Sequence, residues 1–269
     1  MQVGRVQAIY WPGDERLATE LAEAADRAGP WPGLPDPEPF PITLIVTRTQ
    51  ARFDSLTRGR LPAWTGAAAF PASNTIVLRV TGDPMGTLRH ELAHLMLARV
   101  APHVPRWFAE GYAVRVGRDW GRLEALALNW RLVRGRPPTF RELDRALRSG
   151  PTDARAAYAL AGSAVLFLER VGGERGLEPL MARLQEERAF EPAVRMAHLW
   201  SIEELEAAWH RDLRRRYGWL LLGSSVTLFW GMTALVVGFV WWRRRRLDRV
   251  RRAALDDGWV IPDAEPPNA

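Results

Sequence analysis

The sequence predicts an α+β domain with a helical C-terminal lobe, followed by a single transmembrane helix. Strand-like runs rich in apolar and β-branched residues are confined to the first eighty positions, and the chain from there to residue 217 reads almost wholly as helix. Residues 219–242, "WLLLGSSVTLFWGMTALVVGFVWW", carry no charged side chain. The expected organisation is a domain over 1–217, with a strand-rich part to about residue 100 and a helical part over 101–217. A membrane span over 219–242 and a short basic tail over 243–269 complete it.

Residues 3–10 are a first strand candidate, with weak alternation. "DERLATELAEAADRAG" sets Leu17, Leu21, Ala24 and Ala25 on one side of a helix. The Pro-rich "GPWPGLPDPEPFP" is a stiff, irregular connection. "ITLIVT" at 42–47 is a short apolar run of the kind found in central strands. A short helix is expected near "QARFDSL", then two strands, "GAAAFP" and "TIVLRV", joined as a hairpin around Ser73 and Asn74. Next come a helix over "GTLRHELAHLML" at 86–97 and a second opened by Pro105 in "VPRWFAEGYAV". Thr139 with Glu142 and Ser201 with Glu204 have capping-box spacing. Between them lie helices near 152–171 and 175–188, parted by Gly172 and Gly173. The tail after Arg252 is expected to be loose.

The charge balance excludes a nucleic-acid footprint. The net charge is +6, and residues 243–252, with seven Arg and one Asp, account for all of it. The absence of cysteine excludes thiolate metal sites, a catalytic thiol and disulfides. At ~1.5 Å per residue the uncharged segment would cover about 36 Å, enough for a ~30 Å hydrocarbon core. Trp219 at one end and Trp241 with Trp242 at the other suit the two interfaces. The seven Arg after the span outnumber Arg211, Arg214, Arg215 and Arg216 before it, which favours a cytoplasmic tail and an extracytoplasmic domain in the cell membrane. The first twenty residues show no basic-then-apolar signal sequence. The outward placement therefore needs a start upstream of the one shown or a signal left off it; otherwise the domain faces the cytoplasm.

His90 and His94 are one helical turn apart and leave the helix from one face, so two neutral imidazoles can share one Zn²⁺. Glu91, between them, can reach a water at the metal without being a ligand. Leu88, Leu92, Leu95 and Met96 supply the apolar contacts that would hold such a helix rigid. A third ligand is required. Glu110 lies early in the next helix among Trp107, Phe108, Ala109 and Ala113, and a carboxylate buried there needs a cationic partner. His103, in the connecting loop, is the competing donor. Gly111 would let two helices approach closely, or serve packing alone.

"HELAH" followed by "PRWFAEGYA" resembles the gluzincin metallopeptidases, in particular the compact membrane-associated peptidase MA-like proteins. The likeness covers nearly all of residues 1–217 in the order of elements, although only the paired motifs are specific. It implies a zincin-like fold, a Zn²⁺ held by His90, His94 and Glu110, and Glu91 as the base. One departure stands out: Val114 occupies the place of an aspartate that orients a ligand histidine in thermolysin-like members.

The expected function is that of a membrane-anchored zinc-dependent peptidase. A zinc-activated water attacks the peptide bond of a peptide or protein substrate, and Glu91 moves its proton. Either "GAAAF" or "TIVLRV" could pair with an extended substrate. For a donor to the developing oxyanion, the resemblance points to Tyr158, with Tyr112 and Arg106 as alternatives. Two other readings are a catalytically degenerate interaction module and a zinc hydrolase of a non-peptide substrate.

Overall fold

The computed structural model describes residues 1–35, 38–59, 61–62, 64–117, 136–217 and 226–256. The chain divides into two compact units, residues 1–217 and 218–269.

The first unit is built on a five-stranded mixed sheet of order β1-β2-β3-β5-β4. β1 (Gln2–Val3) and β2 (Val6–Ile9) form an antiparallel pair that breaks the expected single strand at 3–10. The chain turns there through Gly4 at φ +49°, beneath Asp26, whose carboxylate accepts the Arg5 N–H at 2.9 Å. Helix α1 (Glu15–Asp26) then carries the chain over to β3 (Ile42–Thr47), which runs parallel to β2. The continuous apolar run of β3 is explained by its place: it is paired on both sides, to β2 and β5, with Ile42, Leu44 and Val46 buried. Helix α2 (Gln50–Thr57), capped by Thr49, leads to β4 (Ala67–Phe70). β4 and β5 (Thr75–Arg79) are the expected hairpin, turning through a short 3₁₀ segment at Pro71–Ser73 and Asn74 in the left-handed region.

The helices follow. α3 (Pro84–Val100) starts immediately after β5 and packs against the sheet and α1. α4 (Arg106–Gly117) lies between α3 and the long α6 (Pro151–Val171). Between these two, α5 (Phe140–Ala146) begins at the Thr139–Glu142 capping box. α7 (Glu178–Glu187), α8 (Phe190–His198) and α9 (Ile202–Tyr217) complete the lobe. Ser201 and Glu204 exchange the expected reciprocal bonds at the start of α9.

The lobe is organised by aromatic stacking. Trp107 of α4 stacks on Phe140 of α5 at 4.0 Å between ring centroids, and Phe140 stacks on Trp209 of α9 at 5.1 Å. Trp209 is fully buried, and its indole N–H donates to Ser163 Oγ in α6 at 3.1 Å, so its polar atom is satisfied.

In the second unit, α10 (Val226–Asp256) runs unbroken through the arginine run. The tail therefore stays helical for four residues past Arg252, and residues 257–269 lie outside the described residues. No helix among the described residues is long and apolar enough to cross a membrane. The expected span begins at 219; its first seven residues lie outside those described, and Val226–Trp242 precede Arg243. That is about 26 Å of helix against a ~30 Å hydrocarbon core. The apolar side chains of α10 from Phe229 to Trp242, Leu235 and Phe239 among them, are 51–74% exposed.

At Gly111 α4 lies hard against α6: a Cβ there would meet the carbonyl oxygen of Ala161 at 2.4 Å. Gly111→Ala thus sets a gain in helix propensity of ~1 kcal/mol against a clash with backbone that cannot turn aside. Overpacking of this kind amounts to about 1–3 kcal/mol. The clash is expected to win, lowering the denaturant midpoint without changing the far-UV dichroism; a raised midpoint would show that the helices are free to part.

Candidate metal centre

Helix α3 begins at a well-defined cap. The Asp83 carboxylate accepts the Met85 and Gly86 N–H groups at 3.1 Å, and Pro84 takes the first helical position, where no donor is needed. Leu88, Leu92, Leu95 and Met96 are buried, so the helix cannot rotate without exposing them. This fixes His90 and His94 on the face turned to a cleft of about 980 Å³.

Helix α4 is anchored by three contacts. At its first turn the Trp107 N–H donates to Asp144 Oδ1 of α5 at 2.6 Å, satisfying a donor that the helix itself leaves open. At its other end Arg115 makes a two-pronged ion pair with Glu169 of α6, at 2.8 and 3.0 Å. Arg89 Nε of α3 donates to the Val116 carbonyl at 3.3 Å.

So held, α4 brings Glu110 to the histidines. Glu110 Oε2 is 3.3 Å from His94 Nε2 and 3.6 Å from His90 Nε2, and the two Nε2 atoms are 3.2 Å apart. Ligand atoms of a tetrahedral zinc with bonds of ~2.0–2.1 Å lie roughly 3.3 Å apart, so the three donors already stand at the spacing such an ion requires. Two imidazoles and one carboxylate are also a donor set that suits it. The other carboxylate oxygen, Oε1, faces Arg106 Nε at 3.4 Å.

The electrostatics are those of a strongly coupled cluster. Burial pushes the Glu110 carboxyl up, but the hydrogen bonds to His90 and His94 outweigh it and hold the group well below the usual carboxylate range. Burial pushes His94 down, while its hydrogen bond to Glu110 and the charges of Glu110 and Glu91 more than compensate and raise it.

Glu91 is buried at 8% exposure and lines the cleft beside the histidines. Tyr158 of α6 lies across from them, its ring edge-to-face with His90 at 6.3 Å. Burial, then the Glu110 charge, raises the Tyr158 hydroxyl, which keeps it a proton donor. Arg106 faces that hydroxyl as well as Glu110.

The other candidates go elsewhere. The Tyr112 hydroxyl is spent on the Pro32 carbonyl at 3.1 Å, and its ring is fully buried. His103 is exposed and lines a separate pocket with Arg99 and Arg188, because the loop carries it past the end of α3. Val114 lines the cleft and offers no polar atom. Of the two strands left open by sequence, β5 is paired on both sides, while β4 lies at the sheet edge and contributes Ala67, Ala68 and Ala69 to the cleft. Sequence reading missed Asp144, which lies 37 positions from Trp107 and carries no local signal of that contact.

The sequence model of the peptidase MA superfamily matches residues 39–215, from just before β3 to the end of α9. The match includes both halves of the histidine–glutamate cluster and leaves β1, β2 and α1 outside, a shorter reach than the sequence resemblance suggested. No curated protein matches the chain.

Two measurements probe the cluster. Glu110→Gln removes the charged donor, and its loss of zinc affinity by calorimetry is expected to exceed the ~10–100-fold typical of outer partners; unchanged affinity would exclude Glu110 as a ligand. Zinc affinity should also fall as pH is lowered through the raised value of His94, because metal must displace a proton from that imidazole. The sign is fixed by linkage: a raised imidazole stabilises the metal-free fold below its unfolded value of 6.5 and loses that contribution as pH rises through the folded value. Chelated protein should therefore lose this contribution toward alkaline pH, read as a midpoint difference between parent and His94→Gln.

Proposed function

Because the chain belongs to the peptidase MA superfamily, we propose that it is a membrane-anchored zinc metallopeptidase, with His90, His94 and Glu110 as ligands, Glu91 as general base and Tyr158 as oxyanion donor. The observation that carries this reading is the convergence of three donor atoms at 3.2–3.6 Å on the wall of a cleft that also holds Glu91 and Tyr158. The metal, when bound, supplies a Lewis acid that polarises the scissile carbonyl and eases deprotonation of water.

The side chains do the rest. An extended peptide lies along β4, whose outer edge has no strand partner among the described residues and whose three alanines leave room for it. Glu91 takes the proton of the attacking water and delivers it to the departing amine. Tyr158, kept protonated by burial, donates to the carbonyl oxygen as negative charge develops there. Arg106 holds Glu110 Oε1, leaving Oε2 to face the histidines.

Glu91 argues against a degenerate interaction module, since a purely structural metal site has no use for a base beside an open coordination position. The open strand edge favours a peptide over a compact non-peptide substrate. Anchoring rests on the uncharged run at 219–242 with tryptophan at both ends, and on the exposed apolar side chains of α10. The arginine excess after that run supports an extracytoplasmic domain.

Glu91→Gln should retain zinc while slowing peptide cleavage by about 10²–10⁴-fold. Cleavage by this variant at the parent rate sinks the assignment of the base. Tyr158→Phe, with zinc retained, should lower kcat by ~10²–10³-fold; normal turnover would remove Tyr158 from the mechanism. Alkaline extraction of membranes tests the anchor, and release of the whole chain into the supernatant would exclude it.

A further inference from the structure

Once Glu110 is committed to the histidines and Glu91 to proton transfer, the formal charges left on the cleft wall among the described residues are two arginines, Arg106 and Arg148. No other Asp or Glu lines the cleft among the described residues. Arg106 is occupied, with Glu110 Oε1 at 3.4 Å and the Tyr158 hydroxyl before it. Arg148 is not. It follows α5 directly after the buried Leu147, is exposed, and makes no ion pair among the described residues. Asp144, one turn earlier, accepts the Trp107 N–H and feels both guanidinium groups, with no hydrogen bond or ion pair to Arg148 among the described residues.

A guanidinium that makes no ion pair among the described residues, on the wall of a cleft, has a fork of donors matched to a carboxylate. A cleft whose uncommitted charges share one sign also draws ligands of the opposite sign.

Resting on the peptidase reading of the same cleft, we infer that the protein selects substrates bearing a carboxylate, which Arg148 binds at the end of the cleft formed by α5 and α6. The carboxylate is either an Asp or Glu side chain or the free C-terminus of the peptide. In both cases Arg148 acts in specificity, apart from the bond that is cut.

The test uses the full-length zinc-loaded protein and three peptide sets matched in length. One carries an internal Glu with an amidated C-terminus, one a free C-terminus without acidic side chains, and one is amidated and neutral. Cleavage is followed with the parent, and binding by fluorescence anisotropy with Glu91→Gln, so that recognition is read even where nothing is hydrolysed. One of the first two sets should be preferred over the neutral set by roughly two- to fivefold, the worth of a solvent-exposed charge pair, and which set wins identifies the source of the carboxylate. Arg148→Gln should bring the preference close to unity, and Arg148→Glu should reverse it in favour of the neutral set. Zinc content and far-UV dichroism establish that both variants fold. Equal treatment of all sets by the parent overturns the inference, as does an acidic preference that survives Arg148→Glu or failure of Glu91→Gln to bind any carboxylate peptide. Cleavage without charge preference refutes only the role of Arg148. Charge-selective binding without cleavage by the parent refutes only the peptidase reading.

Discussion

Burying a carboxylate is unfavourable unless something cationic or hydrogen-bonding meets it, and Glu110, 8% exposed, meets two imidazoles and a guanidinium. Much of the helical half can be understood as the means of keeping that encounter in place. α4 must lie close to α3 so that Glu110 reaches the histidines, and close to α6 so that Tyr158 shares the cleft. The residue next to Glu110 is Gly111, where the α6 backbone leaves no room for a Cβ. Asp144 secures the first turn of α4, Arg115 with Glu169 the last, and the Trp107–Phe140–Trp209 stack packs α4 against α5 and α9.

The sheet contributes a boundary more than a catalytic group. Its central strand β3 is paired on both sides, and a short connection leads from β5 into α3, so the histidine helix begins at a position fixed by the core. β4, at the edge, is short and built of three alanines before Phe70. Small side chains here keep one wall of the cleft low and leave backbone as the main feature that a ligand would meet.

Features that depend on local spacing were legible in the sequence. The two histidines a turn apart, the hairpin before them, "ITLIVT" as a central strand and both capping boxes follow from periodicities of two and about four residues. Glu110 was legible because a carboxylate among Trp107, Phe108 and Ala113 is an anomaly that calls for a partner. Features set by distant contacts were not. Asp144 looks like any acid on a short helix until the fold places it at the start of α4, and nothing near Tyr112 foretold that its hydroxyl would be taken by Pro32. The split of the first strand at Gly4 depends on Asp26, twenty-two residues away. α10 runs on through Arg243 as one helix, because arginine is a good helix former and charge alone does not end a helix.

That continuity has a geometric consequence. Arg243, Arg244, Arg245 and Arg246 are successive residues of a rigid rod, and at ~100° per step they point to four quarters of the compass around its axis. Arg245 and Arg246 fold back over Trp241 and Trp242. The positive charge thus forms a collar. A flat surface lying alongside the rod would touch only part of that collar, whereas a surface pierced by the rod would meet it all around.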